Sequence, residues 1–256
     1  MTNEQKELVQ PILNTIINED IKEFAIVLLE DMPEYIWHVP ASSTGKYHPT
    51  FSLNEGGLMR HQMAVVRFLN FFFELEQYNS KLTTRQMDLM RVAGLLHDGR
   101  KSGSQKDYEA SKYTRFNHPL LMADEIRKYD GKYLNHDEIE FVAEAISKHM
   151  GQWSEDRKSN VILPKPDDKF SRMLHVADYL ASRKCLTMDF EGYTEPKSIV
   201  TNPEEYILPF GKYSGQKLID IYKAHPDYCD WLEKNISKRD VLTMLKMIKE
   251  KCKNED

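Results

Sequence analysis

The chain has 256 residues, of which 41% are hydrophobic and 29% are charged, a balance that predicts an ordinary globular protein with one large domain and at most a small appendage. Its formal net charge of −5 excludes an overall basic field that holds nucleic acid non-specifically. The three cysteines are far apart and odd in number, which excludes a disulfide framework and favours a reducing compartment. We see no signal-peptide pattern and no apolar run long enough to span a bilayer, so we expect a cytoplasmic protein.

Apolar residues recur at helical spacing along most of the chain. The first such stretch covers residues 5–32, with Pro11 expected in a first helical turn or at a break. A loop rich in Ser, Gly and Pro follows at residues 40–57. Further helical stretches are expected at residues 58–78, 83–98, 118–129, 135–150 and 167–188.

Three local signals mark where helices begin. Thr83 or Thr84 is placed to cap the helix that follows it, and Asn135 is placed to cap another. Pro119 fits a first helical turn, where its missing N–H costs nothing.

The composition changes after about residue 192. Residues 192–223 are rich in Pro, Gly and Tyr, with β-type residues around a GKYSG turn, and a short helical tail closes the chain. We place a boundary within residues 193–205, which divides the chain into a domain at 1–195 and a small module at 196–256. The expected fold class is mainly α, a helical bundle with a small α+β C-terminal module.

Histidines and aspartates occupy inward-facing positions in five segments of the predicted bundle. A single inward histidine is most often a core residue with one hydrogen bond, but several together with two carboxylates are costly to bury without partners. A divalent cation satisfies such groups at once, and imidazoles with carboxylates favour Mn, Fe, Co, Ni or Zn over Ca. No cysteine falls nearby, which argues against a Cys-rich structural zinc site. The set comprises His61, His97, Asp98, His118, His149 and Asp178.

These residues carry a resemblance to a known family. His61, the doublet His97-Asp98 and Asp178 resemble the H…HD…D signature of the HD superfamily of metal-dependent phosphohydrolases. The stretch GGLMRH resembles the GGLxxH approach to the first histidine in HD-domain 3′-to-5′ exoribonucleases and their relatives. The stretches LLHD and VADYLASRK are also typical of the superfamily, and the resemblance covers about residues 50–185.

The resemblance implies a divalent metal cofactor, with two ions (Mn, Fe, Co, Ni or Zn, with Mg as an alternative). One ion would take His61, His97, Asp98 and Asp178, and the second would take His118 and His149, with Asp98 bridging. Asp98 and Lys101 would be the catalytic residues, since Lys101 stands at the lysine of the HDxGK pattern of many members. Arg100, which replaces the glycine of that pattern, would grip the substrate phosphate together with Lys101 and Arg183. For Arg183, a solvated helix end is an equal alternative.

Two further histidines lie close to these positions in the sequence. His48 has some chance of lining the site. His175, three residues before Asp178, is favoured as an ordinary helical histidine, with a supporting partner of a ligand residue as the alternative. Gly99 and Gly103 permit a turn after the doublet, which adjacent helical residues need in order to converge on one ion.

The C-terminal segment carries a second resemblance. Residues 209–218, PFGKYSGQKL, and residues 227–232, DYCDWL, resemble a small module at the C-terminus of some DnaQ-type exonucleases, including exonuclease X. That association implies nucleic-acid contact through Lys212, Tyr213 and Lys217. The alternative is a hairpin whose aromatic residues simply form a small core.

Together, the resemblances imply a phosphohydrolase or phosphodiesterase that cleaves phosphoester bonds of nucleotides or single-stranded oligonucleotides by a metal-activated hydroxide. A mononucleotide phosphatase is the closest alternative, and a non-catalytic nucleotide-sensing HD module is the alternative from a different class. The expected partner is a nucleotide or a single-stranded nucleic acid, with no membrane, and the oligomeric state is left open.

Overall fold

The computed structural model describes residues 1–42, 45, 47–186, 188–190, 203–236 and 238–254. Over these residues the chain is mainly helical, as predicted. Two short 3₁₀ helices cover Glu34–Trp37 and Thr50–Ser52. The α-helices are α1 (Asn3–Leu13), α2 (Glu19–Asp31), α3 (Gly57–Glu74), α4 (Glu76–Asn79), α5 (Thr84–Leu96), α6 (Gln105–Ala110), α7 (His118–Arg127), α8 (His136–Ser147), α9 (Lys169–Ala181), α10 (Leu218–Ala224), α11 (Pro226–Asn235) and α12 (Arg239–Asn254). Among them, none combines the length and the apolar character that crossing a membrane requires.

The first predicted helical stretch is two helices rather than one. Pro11 lies in the last turn of α1, so its placement in a first turn is wrong. Proline has no N–H to continue the helical hydrogen-bond ladder, and α1 ends two residues later, at Leu13.

The connection between α1 and α2 is attached to α5 by one buried carboxylate. Asp88 Oδ2 accepts hydrogen bonds from the backbone N–H groups of Ile17 at 3.0 Å and of Asn18 at 2.8 Å, and from the Asn18 side chain at 2.6 Å. Its other oxygen, Oδ1, accepts from Arg91 at 2.5 Å. The carboxylate is fully buried, so each of these donors offsets part of the cost of burying its charge.

The predicted helix starts are confirmed where the structure tests them. Thr83, rather than Thr84, caps α5 by accepting from the backbone of Gln86. Asn135 caps α8 in the same way, and Pro119 stands in the first turn of α7.

The helices of the first part of the chain pack around α3. This helix packs against α5 and α9, α5 packs against α8, and α8 packs against α7. Leu58, Val65 and Leu69 of α3 lie in one hydrophobic core shared with these neighbours. The arrangement brings the ends of five helices, those that carry the inward-facing histidines and aspartates, to one place.

The last helices form a second hydrophobic cluster. It draws on residues 208–248, with Leu218 and Leu232 completely buried. Within the described ranges this region contains no strand, and the expected β-rich segment is represented by one isolated antiparallel bridge between Ile207 and Lys217. The α+β character of the module is therefore not confirmed. The predicted boundary between residues 195 and 196 lies outside the described residues.

We predict that Asp88→Ala destabilises the fold by about 3 kcal/mol, because it leaves Arg91 and two backbone N–H groups without their acceptor. Urea denaturation measures the loss. The matched control is Glu7→Ala, which removes an exposed carboxylate from α1 and should change the free energy of unfolding by less than about 0.5 kcal/mol. Equal effects of the two substitutions would contradict the anchoring role of Asp88.

Candidate metal centre

The GGLMRH stretch forms a tight junction that sets the start of α3. Gly56 has a φ of +69°, which favours glycine, and a Cβ on Gly57 would lie 2.4 Å from the Ser52 carbonyl oxygen. The guanidinium of Arg60 is buried and donates to two carbonyl oxygens of the preceding loop, at 2.6 and 2.7 Å. Both glycines and the arginine thus fix the loop against the helix that carries His61.

Asp98 lies at the centre of the converging side chains. Its Oδ1 is 2.9 Å from Nε2 of His118 and 3.9 Å from Nε2 of His149. Its Oδ2 is 3.8 Å from Nε2 of His97 and 2.5 Å from the Lys101 ammonium. The carboxylate is buried, so three imidazoles and one ammonium are its immediate surroundings.

Asp178, on α9, closes the other side of the site. Its Oδ1 lies 3.0 Å from Nε2 of His61 and 3.7 Å from Nε2 of His97. His97 therefore stands between the two carboxylates. The structure thus brings together all six predicted ligands, and we call them the His–Asp cluster: His61, His97, Asp98, His118, His149 and Asp178.

The orientation of three histidines is fixed by backbone carbonyls. The Nδ1 atoms of His97, His118 and His149 lie 2.8, 2.7 and 2.8 Å from the carbonyl oxygen three residues earlier in the chain. A carbonyl oxygen only accepts, so Nδ1 carries a proton, and in the neutral ring Nε2 presents a lone pair to the cluster. Histidines that bind metal ions are held in this way, by a hydrogen bond from the opposite ring nitrogen.

Several buried atoms of the cluster have no hydrogen-bond partner among the described residues. They include Nε2 of His97, Nε2 of His118 and Oδ1 of Asp98. The last two face each other at 2.9 Å, a distance at which two acceptor atoms repel unless a proton or a metal cation lies between them. Three overlapping triads of the cluster have ligand atoms within 4.8 Å of one another. Imidazole nitrogens and carboxylate oxygens in this arrangement fit divalent transition-metal cations.

The protonation states also suit metal binding. Burial would raise the pKa of Asp98, but the Lys101 ammonium and the adjacent imidazoles hold it well below its usual range. Burial, together with its imidazole neighbours, lowers the pKa of His149 to about 3. Burial likewise lowers the pKa of His97. At neutral pH the carboxylate is ionised and these imidazoles are neutral, which are the forms that bind cations.

The predicted substrate-binding residues occupy different settings. Lys101 lies in the site, where its ammonium is paired with the Asp98 carboxylate. Arg100 forms an ion pair with Glu125 of α7 at 2.8 Å. Arg183 lies beside the end of α9, and Lys212 belongs to the C-terminal region.

Two residues that support the site could not be assigned from the sequence. The hydroxyl of Tyr35 donates to the Gly103 carbonyl and accepts from the Ser102 N–H, both at 3.0 Å. The N–H of Arg115 donates to the Lys101 carbonyl at 2.8 Å. The loop that follows the His97-Asp98 doublet is therefore held from two sides.

His175 also supports the site. Its Nδ1 lies 2.8 Å from the His149 carbonyl oxygen and its Nε2 lies 3.0 Å from the Gln152 side chain. Gly151 has a φ of +59°, and a Cβ there would lie 2.2 Å from the His175 ring. His175 thus ties the turn after His149 to α9, one helical turn before Asp178.

His48 also lies next to the cluster, as expected from its position in the sequence. Its ring centroid is 5.8 Å from that of His61. Burial lowers its pKa to about 3, with a further contribution from His61.

The lowered pKa values predict how stability depends on pH. His48, His97 and His149 have folded pKa values below the ordinary 6.5. Between pH 6.5 and about 3 the unfolded chain therefore binds more protons than the folded chain, so the free energy of unfolding falls as the pH falls. The lowered pKa values of Asp98 and Asp178 act in the same direction at lower pH.

Urea denaturation in excess chelator at about pH 7 and about pH 5.5 tests this expectation. Each buried histidine contributes up to about 1.4 kcal/mol per pH unit to the loss. His149→Gln should reduce the loss, whereas His136→Gln should not, because a hydrogen bond to Asp130 raises the pKa of this exposed histidine. Equal stability at both pH values would contradict the assignment of neutral imidazoles.

Comparison with known proteins gives one result. Residues 59–183 match the family described as HD domain, a range that includes the whole His–Asp cluster. No curated protein and no solved structure matches the chain. The likeness to exoribonuclease relatives and to a nuclease C-terminal module is therefore not confirmed. Proteins with this domain are generally metal-dependent hydrolases, and the match at residues 59–183 supports a place for this chain among them.

Proposed function

We propose that the chain is a metal-dependent phosphohydrolase that cleaves phosphoester bonds of nucleotides or single-stranded oligonucleotides. The observation that carries the proposal is the environment of Asp98. This buried carboxylate faces Nε2 atoms of three histidines, two of which are within 4 Å of the same oxygen. Such a set of oriented donors is expected where cations bind, because burying it in an apolar core costs free energy without compensation.

Two cations fit the donors in this proposal, with Asp98 shared between them. When bound, divalent cations would lower the pKa of a water molecule and neutralise charge on phosphoryl oxygens. The donor types favour Mn, Fe, Co, Ni or Zn, with Mg as an alternative. One ion would be held by His61, His97, Asp98 and Asp178, and the other by Asp98, His118 and His149.

The chain's own residues complete the site. Lys101 balances the charge of Asp98 in the structure, so its ammonium becomes available to a substrate phosphate once that carboxylate is balanced by cations. The burial of His61, His97 and His149 keeps bulk water from their ligand atoms. Arg100, in contrast, is already paired with Glu125, which makes it the weaker of the two candidates for phosphate binding.

A mononucleotide phosphatase would need the same cluster as a phosphodiesterase. We prefer the phosphodiesterase because of two sequence features alone, the GGLMRH stretch and the C-terminal module. A non-catalytic nucleotide sensor has little need for six oriented ligands. A cytoplasmic location remains part of the proposal, supported by three cysteines that are all free.

The C-terminal residues make a separate contribution to the proposal. The Tyr213 ring stacks on His225 at 4.7 Å and meets Tyr228 edge-on at 4.8 Å, so it packs in an aromatic group. Lys212 and Lys217 are exposed. We therefore base strand binding on these two lysines rather than on stacking at Tyr213.

Asp98→Ala should abolish phosphoester hydrolysis and the stabilisation of the chain by Mn²⁺, because it removes the shared ligand. Lys101→Ala should lower turnover on the order of 10²-fold while the Mn²⁺ stabilisation is retained, because a phosphate contact is lost and no ligand is. Thermal denaturation with and without Mn²⁺, together with a phosphoester assay, measures both effects. Circular dichroism checks that the helices persist.

Two outcomes would contradict these assignments. Unaltered turnover in Asp98→Ala would remove the aspartate from the reaction. Loss of the Mn²⁺ stabilisation in Lys101→Ala would make the lysine a structural partner of the cluster.

The double substitution Lys212→Ala/Lys217→Ala should weaken binding of single-stranded oligonucleotides and reduce the log–log salt slope by about 0.7 for each lost phosphate contact. Hydrolysis of bis-p-nitrophenyl phosphate should be unchanged, because the His–Asp cluster is untouched. Lys234→Ala, which removes an exposed lysine of α11, is the matched control. An unchanged salt slope would contradict the strand-binding role of these lysines. Equal losses of hydrolysis rate on the oligonucleotide and on the small ester would contradict it as well.

A further inference from the structure

A row of stacked planar side chains lies on the surface beside α9. The Trp153 and Tyr179 rings stack with centroids 5.9 Å apart and planes 15° apart. The Arg183 guanidinium lies 4.2 Å from the Tyr179 ring centroid and 5.6 Å from that of Tyr47. We call these four residues the aromatic row. Trp153 is 45% exposed, Tyr179 36% and Tyr47 54%, so the row is not part of the core.

The row is fixed in place although it is exposed. The Trp153 ring meets the His175 ring edge-on at 6.0 Å, and His175 is bound to the carbonyl of His149. The Tyr47 carbonyl accepts a hydrogen bond from the Lys184 N–H at 2.8 Å. An exposed aromatic surface held this firmly is typical of a binding site rather than of a solvated loop.

The row adjoins two members of the His–Asp cluster along the chain. Tyr179 directly follows Asp178 on α9, and Trp153 lies in the turn after His149. The same histidine, His175, holds that turn to α9. A ligand that reaches the cluster with a planar group attached therefore has two aromatic side chains at hand. Tyr179 is one residue after Asp178, and Trp153 is four residues after His149.

The aromatic rings and the guanidinium of the row indicate which class of ligand it would bind. Exposed aromatic faces bind other planar rings by stacking, and nucleobases bind in this way regardless of sequence. Among the described residues no carboxylate lies within 4 Å of Arg183, so its charge remains available to an anion. Tyr179 contacts both Trp153 and Arg183. Trp153 is the more exposed of the two stacked rings, so it offers the larger surface to another planar group. A base joined to a phosphate ester matches this order of groups, whereas an apolar protein surface does not match the guanidinium.

We propose that Trp153 stacks on the nucleobase of the substrate, with Tyr179 supporting its ring and Arg183 facing the phosphate backbone. The inference rests on the proposed function, because it places the base of a substrate whose phosphate lies at the His–Asp cluster. It makes Trp153 and Tyr179 determinants of specificity for base-bearing esters over base-free sugar phosphates.

Calorimetric titration of the full chain in excess chelator tests this without turnover, using adenosine 5′-monophosphate and ribose 5-phosphate as probes. The unaltered chain should bind the nucleotide more tightly than the sugar phosphate. Trp153→Ala should lower the affinity for the nucleotide by about 5- to 150-fold and leave that for the sugar phosphate unchanged. Trp153→Phe should retain most of the affinity for the nucleotide.

The chain offers a matched control in Trp231. This residue is also 45% exposed and also stacks on a tyrosine, Tyr228, at 5.8 Å. Trp231→Ala should leave both affinities unchanged. Equal affinities of the unaltered chain for the two probes, or a Trp153→Ala variant that loses both in parallel, would overturn base stacking at this row.

The test separates failure of this inference from failure of the proposed function. The chain could hydrolyse no phosphoester with Mn²⁺ while Trp153→Ala abolishes the preference for the nucleotide. That result would support the base-stacking site and contradict the proposed hydrolase activity. If hydrolysis occurs and Trp153→Ala leaves the preference unchanged, the hydrolase stands and the base site is wrong.

Discussion

The Asp98 carboxylate is buried among helices, so its negative charge has to be balanced from within the protein. Lys101 supplies one positive charge at 2.5 Å. Nε2 of His118 and Nε2 of His149 face the other oxygen of Asp98, at 2.9 and 3.9 Å. Asp98 is thus balanced by one ammonium while imidazole nitrogens surround it, and the packing of the surrounding helices brings all of these groups to one carboxylate.

The contacts that hold this arrangement are made largely by the backbone. Carbonyl oxygens fix the rings of three histidines, and Tyr35 binds two backbone groups of the loop after the doublet. His175 does the same for the turn after His149. Ring orientation therefore depends on the packing of α5, α8 and α9 and on the N-terminal segment. Substitutions far from the cluster that disturb this packing should displace its ligand atoms.

Helical spacing was enough to predict much of the fold and the site. Neighbours at i±3 and i±4 lie on one face of a helix whatever the tertiary structure, so the inward positions of His61 and Asp178 could be read directly. The contacts of Tyr35 and Trp153 could not, because they join segments whose proximity is set only by helix packing. The α+β character of the C-terminal region is not confirmed for a different reason. β-type residues around GKYSG form a single bridge, Ile207 to Lys217, in the described residues, since strand formation depends on a partner strand.

Anomalous diffraction from crystals grown with Mn²⁺ tests most directly whether the His–Asp cluster binds cations. Two peaks are expected: one among His61, His97, Asp98 and Asp178, and one among Asp98, His118 and His149. Asp98 should contact both. No peak at the cluster, or peaks only elsewhere on the chain, would contradict the assignment of these residues as metal ligands, and one peak alone would contradict the two-ion arrangement.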